Sequence, residues 1–225
     1  MECSNCRQPI IRNLTILECL LPIRSSAELC LDCQRKFQKI AFTHCPMCSR
    51  SQDSSNVCLD CQAWLRVYPK INLQHTALYQ YNQGMKEWMH RFKFLGDIQL
   101  AGTFSKDLRK AILRQKVDII CPIPLAEERK NMRGYNQVEE LLKAANIPYQ
   151  LLLAKNENVS PQSEKNRVER LNMVQPFHLA KEINSDVRTL LIVDDVYTTG
   201  RTILHATSCF WTYPKIKITT LTLAR

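Results

Sequence analysis

The 225-residue chain is 45% apolar and carries 31 lysines and arginines against 21 acids, a formal net charge of +10. That length suits one ordinary domain with a smaller appendage; no run approaches the roughly 18–20 uninterrupted apolar residues of a membrane span, and cysteines stand where a signal peptide has its apolar stretch. A soluble, cytoplasmic protein without a membrane span is the expectation.

Eight of the 11 cysteines fall into four Cys-x-x-Cys pairs: Cys3/Cys6, Cys30/Cys33, Cys45/Cys48 and Cys58/Cys61. Two thiolates three positions apart on a tight turn reach one tetrahedral zinc, and two such turns close a structural site with no open position. Two structural zincs are expected, paired sequentially or as a cross-brace. Cys19, Cys121 and Cys209 read as small buried hydrophobes. The stretch "CPMCSRSQDSSNVCLDC" forms one compact ribbon-like site, while the outer pairs bracket "IIRNLTILECLLPI", material for strands or a short helix. Beyond the cysteine pairs no internal repeat is expected.

The chain divides into a cysteine-rich zinc-binding part, residues 1–65, and a larger part, residues 66–225. Their formal charges are +1 and +9. Two divalent cations on eight thiolates lower the first figure by four, so attraction to a polyanion belongs mainly to the larger part.

After Trp64 the texture becomes that of an α/β protein. Met85, Trp88, Met89 and Phe92 share one helical face, with Gly96 as a stop. Residues 100–114 read as a second helix, "VDIICPIPL" as a buried strand ended by prolines, and "YNQVEELLKAANI" as a third helix. The polar, basic "AKNENVSPQSEKNRVERLN" reads as a long exposed loop or hairpin. Residues 190–193 form a strand, 202–210 a helix, and "KIKITTLTLA" a last strand. Alternating strands and helices predict a mainly parallel sheet wrapped by helices.

The last strand–helix unit, "LLIVDDVYTTGRT", carries the candidate site. Ligands of parallel sheets gather at the carboxyl ends of strands, where Asp194 and Asp195 must sit. The small residues that follow lead into a helix, whose first turn offers unpaired N–H groups and the positive end of its dipole to a phosphate. The carboxylates can accept hydrogen bonds from the vicinal hydroxyls of an adjoining sugar and stabilise positive charge on its ring. Earlier, "CPIPLAEERKNMRGYNQ" places Arg129, Lys130 and Arg133 within five residues, a concentration of cations suited to pyrophosphate or a phosphate strand.

The thirteen-residue stretch resembles the phosphoribosyl-pyrophosphate (PRPP) motif of type I phosphoribosyltransferases, with Tyr197 aromatic where an aliphatic residue is usual. By that resemblance Asp194 and Asp195 hold ribose hydroxyls, and Thr198, Thr199, Gly200, Arg201 and Thr202 hold the 5-phosphate. The order of cysteine pairs, "HRFKFLGD", "PIPLAEERKNMRGYNQ", a "Q…K…R…ER" loop and "IVDDVYTTGRT" is similar, over almost the whole chain, to the ComF/ComFC competence-protein family. Lys93 and the Gly96–Asp97 pair match its first motif; Arg129, Arg133, Gly134, Asn136 and Gln137 its second; Arg170 the arginine of its flexible loop. Gln162 falls in the same region, but in a different local context, "SPQSEK". Lys93, Arg129, Lys130, Arg133 and Arg170 are thus the expected contacts to pyrophosphate or nucleic-acid phosphate.

The resemblance implies a zinc-binding part on a phosphoribosyltransferase-like domain, handling of single-stranded DNA in natural transformation, and a helicase-like ATPase partner, ComFA. Magnesium would accompany a pyrophosphate ligand. The alternatives are an active phosphoribosyltransferase of nucleotide metabolism and a zinc-ribbon adaptor with a retired enzyme domain. The last strand is expected to end near Arg225, which leaves little chain for a base-recognising hood there; no acceptor or catalytic residue is indicated.

Overall fold

The computed structural model describes residues 2–10, 20, 29–69, 71–156 and 175–225. Residues 11–19 and 21–28, most of the expected strand or helix segment and Cys19, lie outside the described residues, as do residues 157–174 with Gln162 and Arg170.

Four parallel strands form the central sheet in the order β1-β6-β5-β2. They are β1 (His75–Tyr79), β2 (Ile119–Pro122), β5 (Thr189–Val196) and β6 (Lys217–Ala224). Strand β5 lies inside the sheet, and its apolar run is what a strand covered on both faces requires. Alternation of side chains sends Leu191 and Val193 to one face, with Trp88, Phe92, Leu108 and Leu141. Leu190 and Ile192 go to the other, with Cys121, Ala206 and Phe210. Helices cover both faces, as the alternating pattern predicts.

Helices α1 (Leu31–Lys36) and α2 (Leu59–Val67) belong to the cysteine-rich region, and α2 runs across residue 65. Helix α3 (Gln83–Phe94) starts where the Asn82 side chain accepts from the Met85 N–H at 3.0 Å and buries the expected Met85, Trp88, Met89 and Phe92. It ends at Phe94, ahead of Gly96 at φ +68°. The helix expected over 100–114 divides: Ile98–Phe104 is a 3-10 segment, and α4 (Ser105–Gln115) follows. Then come α5 (Glu127–Arg133) and α6 (Gln137–Ala144), the latter begun by Asn136, whose side chain accepts from Val138 N–H at 2.9 Å. The 202–210 helix is α7 (Arg201–Ser208), shorter at its end, where residues 209–212 turn. Strand β1 was not expected. The loop or hairpin reading meets an antiparallel pair, β3 (Leu153–Lys155) and β4 (Phe177–Leu179), on either side of residues 157–174.

The cysteine-rich region contains a repeat that the pairs alone understate. "CLDCQ" occurs at 30–34 and again at 58–62. Cys30 and Cys58 cap α1 and α2 with near-identical backbone angles (φ −66°, ψ 162° and φ −69°, ψ 161°). Gln34 donates to Leu29 O and Gln62 to Val57 O, each at 2.9 Å. The opposing knuckles match too: Arg7 N–H bonds Cys3 O at 2.8 Å and Ser49 N–H bonds Cys45 O at 2.9 Å, with positive φ at Arg7 and Ser49. Among the described residues no helix is long and apolar enough to cross a membrane.

Candidate functional site

Asp194 and Asp195 are the last buried residues of β5, at the carboxyl end shared by all four parallel strands. Asp194 Oδ1 accepts the Asp195 N–H at 2.9 Å. Burial, with the Asp195 charge beside it, pushes the Asp194 carboxyl up to about 8; the Asp195 N–H, Lys93 and Lys155 oppose that rise. Asp195 Oδ2, with no other partner among the described residues, lies 2.9 Å from Lys93 Nζ at the end of α3. Asp195 is therefore paired with Lys93 of α3, while the Lys155 charge on β3 acts on Asp194 without an ion pair among the described residues. Lys93, expected on the phosphate side, is the ion-pair partner of Asp195.

The loop beyond β5 exposes Thr198, Thr199 and Thr202, half-buries Arg201 and turns at Gly200, at φ +85°. A Cβ on Gly200 would lie 2.2 Å from the Tyr197 hydroxyl, so glycine is required by backbone and by space. Tyr197, the departure from the usual aliphatic residue, is buried beneath this turn. Its ring lies 4.5 Å from that of His75 and 4.6 Å from the Arg225 guanidinium. His75 pairs with Thr220 at 2.9 Å and Thr222 at 3.1 Å. Burial, reinforced by Arg225, pushes its pKa down to about 3, so the imidazole is neutral.

The other expected cations divide. Lys130 lines a cleft of about 710 Å³ with Glu127, Asn136, Glu139, Lys155 and His178, so its lining carries both signs of charge. Burial first, then the Arg129 charge, lowers the pKa of Lys155, while the Asp194 charge raises it. Arg133 turns away: it bonds Gln137 and stacks 5.7 Å from the Phe94 ring centroid. The cleft adjoins the carboxylates without being lined by them. Lys155, Arg225 and Trp64 are additions to the expected set. Lys155 stands on a three-residue strand inside a stretch that reads as polar loop, while Arg225 and Trp64 reach the loop from distant positions in the chain.

Sequential pairing describes the cysteines. Sγ atoms of Cys3, Cys6, Cys30 and Cys33 lie within 4.8 Å of one another, as do those of Cys45, Cys48, Cys58 and Cys61. The Cys6–Cys30 and Cys48–Cys58 separations are both 3.7 Å, close to the roughly 3.8 Å edge of a tetrahedron with ~2.3 Å zinc–sulfur bonds. The donor set and spacing fit zinc, and each group could hold one ion. Backbone N–H groups serve the sulfurs equivalently, Cys30 to Cys3 and Cys58 to Cys45, both at 3.3 Å. Such bonds are the outer support that thiolate ligands need.

No protein-family model matches the chain. It is 37% identical over 203 residues to competence protein ComFC of Streptococcus pneumoniae, covering 90% of each chain. It is 33% identical over 197 residues to competence protein ComFC of Bacillus subtilis, covering 84% of this chain and 80% of that one. Among solved structures, a hypoxanthine phosphoribosyltransferase from Staphylococcus aureus is similar with 16% identity and a TM-score of 0.32, over 53% of this chain and 60% of that chain. With two relatives above 30% identity matched over most of their length, the chain belongs to the ComFC family of competence proteins.

Proposed function

We propose that this protein acts on incoming single-stranded DNA during natural transformation and that its pocket binds PRPP or a related 5-phosphorylated ribose. One observation carries the pocket: two buried aspartic side chains at the end of β5, one of them paired with Lys93, lead into a glycine turn and the N-terminus of α7. On this reading the loop amides and the hydroxyls of Thr198, Thr199 and Thr202, with Arg201, receive the 5-phosphate. Asp194 and Asp195 accept hydrogen bonds from the ribose hydroxyls. Lys130, Lys155 and Arg129 attract pyrophosphate, with magnesium arriving on it, since that ion is commonly held by one or two carboxylates and the substrate's phosphates.

The larger part, 66–225, supplies the positive field for DNA, with Arg133 and Arg170 as further phosphate contacts. The zinc-bearing part, 1–65, braces it, and a helicase-like ATPase of the ComFA type is the expected partner. Calorimetric titration of the zinc-loaded protein with magnesium–PRPP gives a saturable heat on this account; absence of heat with both PRPP and ribose 5-phosphate overturns the pocket. In gel-shift titrations single-stranded DNA binds with affinity that falls as salt rises, and salt-independent affinity overturns the phosphate contacts. Pyrophosphate release with PRPP, magnesium and any base of a panel would instead make the protein an active phosphoribosyltransferase.

A further inference from the structure

The second cysteine cluster lies against the candidate phosphate loop. Trp64, three residues beyond Cys61 on α2, donates its indole N–H to Thr199 O at 2.8 Å. Arg225, just past β6, donates from Nη1 to Thr198 O at 2.8 Å and from Nη2 to Cys48 Sγ at 3.2 Å. Its Nη2 is also 3.9 Å from Asp60, which stands between Cys58 and Cys61. Only 7% of the Arg225 side chain is exposed. Cys45, Cys48, Cys58 and Cys61 share one apolar cluster with Tyr197, Ile203 and Leu204, which flank the loop on both sides.

These contacts have a directional consequence. In a trans peptide the C=O and the following N–H point in opposite directions, and the structure contains no cis peptide among the described residues. Holding the carbonyls of Thr198 and Thr199 on the cysteine side turns the N–H groups of Thr199 and Gly200 to the opposite side. An N–H array of that kind is what binds a phosphate at a helix start.

We propose that Arg225 and Trp64 are positioning residues through which the second cysteine cluster, holding its metal, shapes the 198–200 loop. Metal in that cluster, and not in the first, then governs affinity for the 5-phosphate. This rests on the ribose-phosphate reading of the pocket. Hydrogen bonds of the first cluster lead elsewhere: Asn5 bonds Cys33 Sγ at 3.2 Å and receives Arg91 at 2.8 Å.

Two measurements test the proposal. Hydrogen exchange without ligand compares Cys58→Ser and Cys6→Ser: faster exchange by roughly tenfold or more over residues 198–204 is expected in the first variant alone, as local opening free energy falls. Unchanged exchange there in Cys58→Ser, or an equal rise in both variants, overturns the proposal. Trp64→Phe and Arg225→Gln, with zinc content retained, should each weaken ribose 5-phosphate and PRPP alike by about tenfold, the worth of one loop-holding hydrogen bond. Arg225→Lys should recover part of the loss. Wild-type affinities in Trp64→Phe and Arg225→Gln, or losses confined to PRPP, contradict it and leave the exchange comparison to judge only the scaffold. If the wild type binds neither ligand, the pocket reading fails; the exchange arm still reports whether cluster and loop are coupled.

Discussion

The two cysteine clusters are nearly the same object placed on different neighbours. Both use a knuckle, a "CLDCQ" helix start and sulfur separations of 3.7 Å. The first shares the apolar core of Met85, Trp88 and Phe92 along α3, and its Arg7 pairs with Asp97 at 3.1 Å. The second shares Tyr197, Ile203 and Leu204 and reaches the loop through Arg225 and Trp64. The same four-cysteine unit thus meets a different part of the fold in each of its two positions. One cluster stands behind the helix carrying Lys93, the other behind the turn carrying Gly200.

Removing a ligand from each cluster gives the largest expected effect. Cys33→Ser and Cys58→Ser should each lower bound zinc from two ions to one and cost more than about 3 kcal/mol, because metal binding is folding free energy in such units. Zinc analysis and urea unfolding check the size, and exchange mapping checks the place: residues 83–94 for the first variant, 198–204 for the second. Identical exchange maps would erase the distinction.

Gly200→Ala should cost about 1–2 kcal/mol for the left-handed backbone and more for the collision with Tyr197. Combining it with Tyr197→Val should recover the collision share. Strict additivity in a double-mutant cycle by urea unfolding would show that Tyr197 does not set the turn.

The carboxyl pair carries a pH dependence of its own. The Asp194 pKa stands at about 8 against an ordinary 3.8, so across that window the native protein keeps a proton that the unfolded chain has released. Stability from this group is fully present below the ordinary value and is lost as pH rises toward 8. Asp194→Asn should flatten that slope in melting temperature measured against pH. An unchanged slope would place the responsible group elsewhere.

Smallest is Arg7→Ala. Its side chain is 61% exposed at the Asp97 pair, and exposed pairs are worth about 0–1 kcal/mol. Urea unfolding should show a loss inside that range; a larger one would make this contact a main tie between the first cluster and α3.

The sequence displayed much of this because the relevant signals were local. A four-residue apolar run followed by two acids specifies a buried strand that delivers two acidic side chains, and four spaced cysteine pairs specify two four-thiol groups that could each hold a metal ion. The face of α3 was legible from its 3.6-residue period. Strand β1 was not, because its buried His75 is made tolerable only by Thr220 and Thr222, nearly 150 positions away in the chain. Arg225 and Trp64 hid for the same reason: neither lies near the loop in sequence, and their carbonyl partners are backbone atoms that leave no trace in residue type. Lys155 was hidden by its surroundings, a three-residue strand beside polar residues. The basic run 129–133 looked like one patch, yet helical geometry turned Arg133 toward Phe94 and left Lys130 in the cleft.

The most direct test is calorimetry with magnesium–PRPP on the zinc-loaded wild type and on the Asp194→Asn/Asp195→Asn double variant, with zinc content and melting temperature matched beforehand. The wild type should give a saturable heat that is abolished or weakened by at least about a hundredfold, roughly 2.7 kcal/mol, in the variant. Equal heats in the two proteins would contradict the ribose-phosphate reading of the pocket.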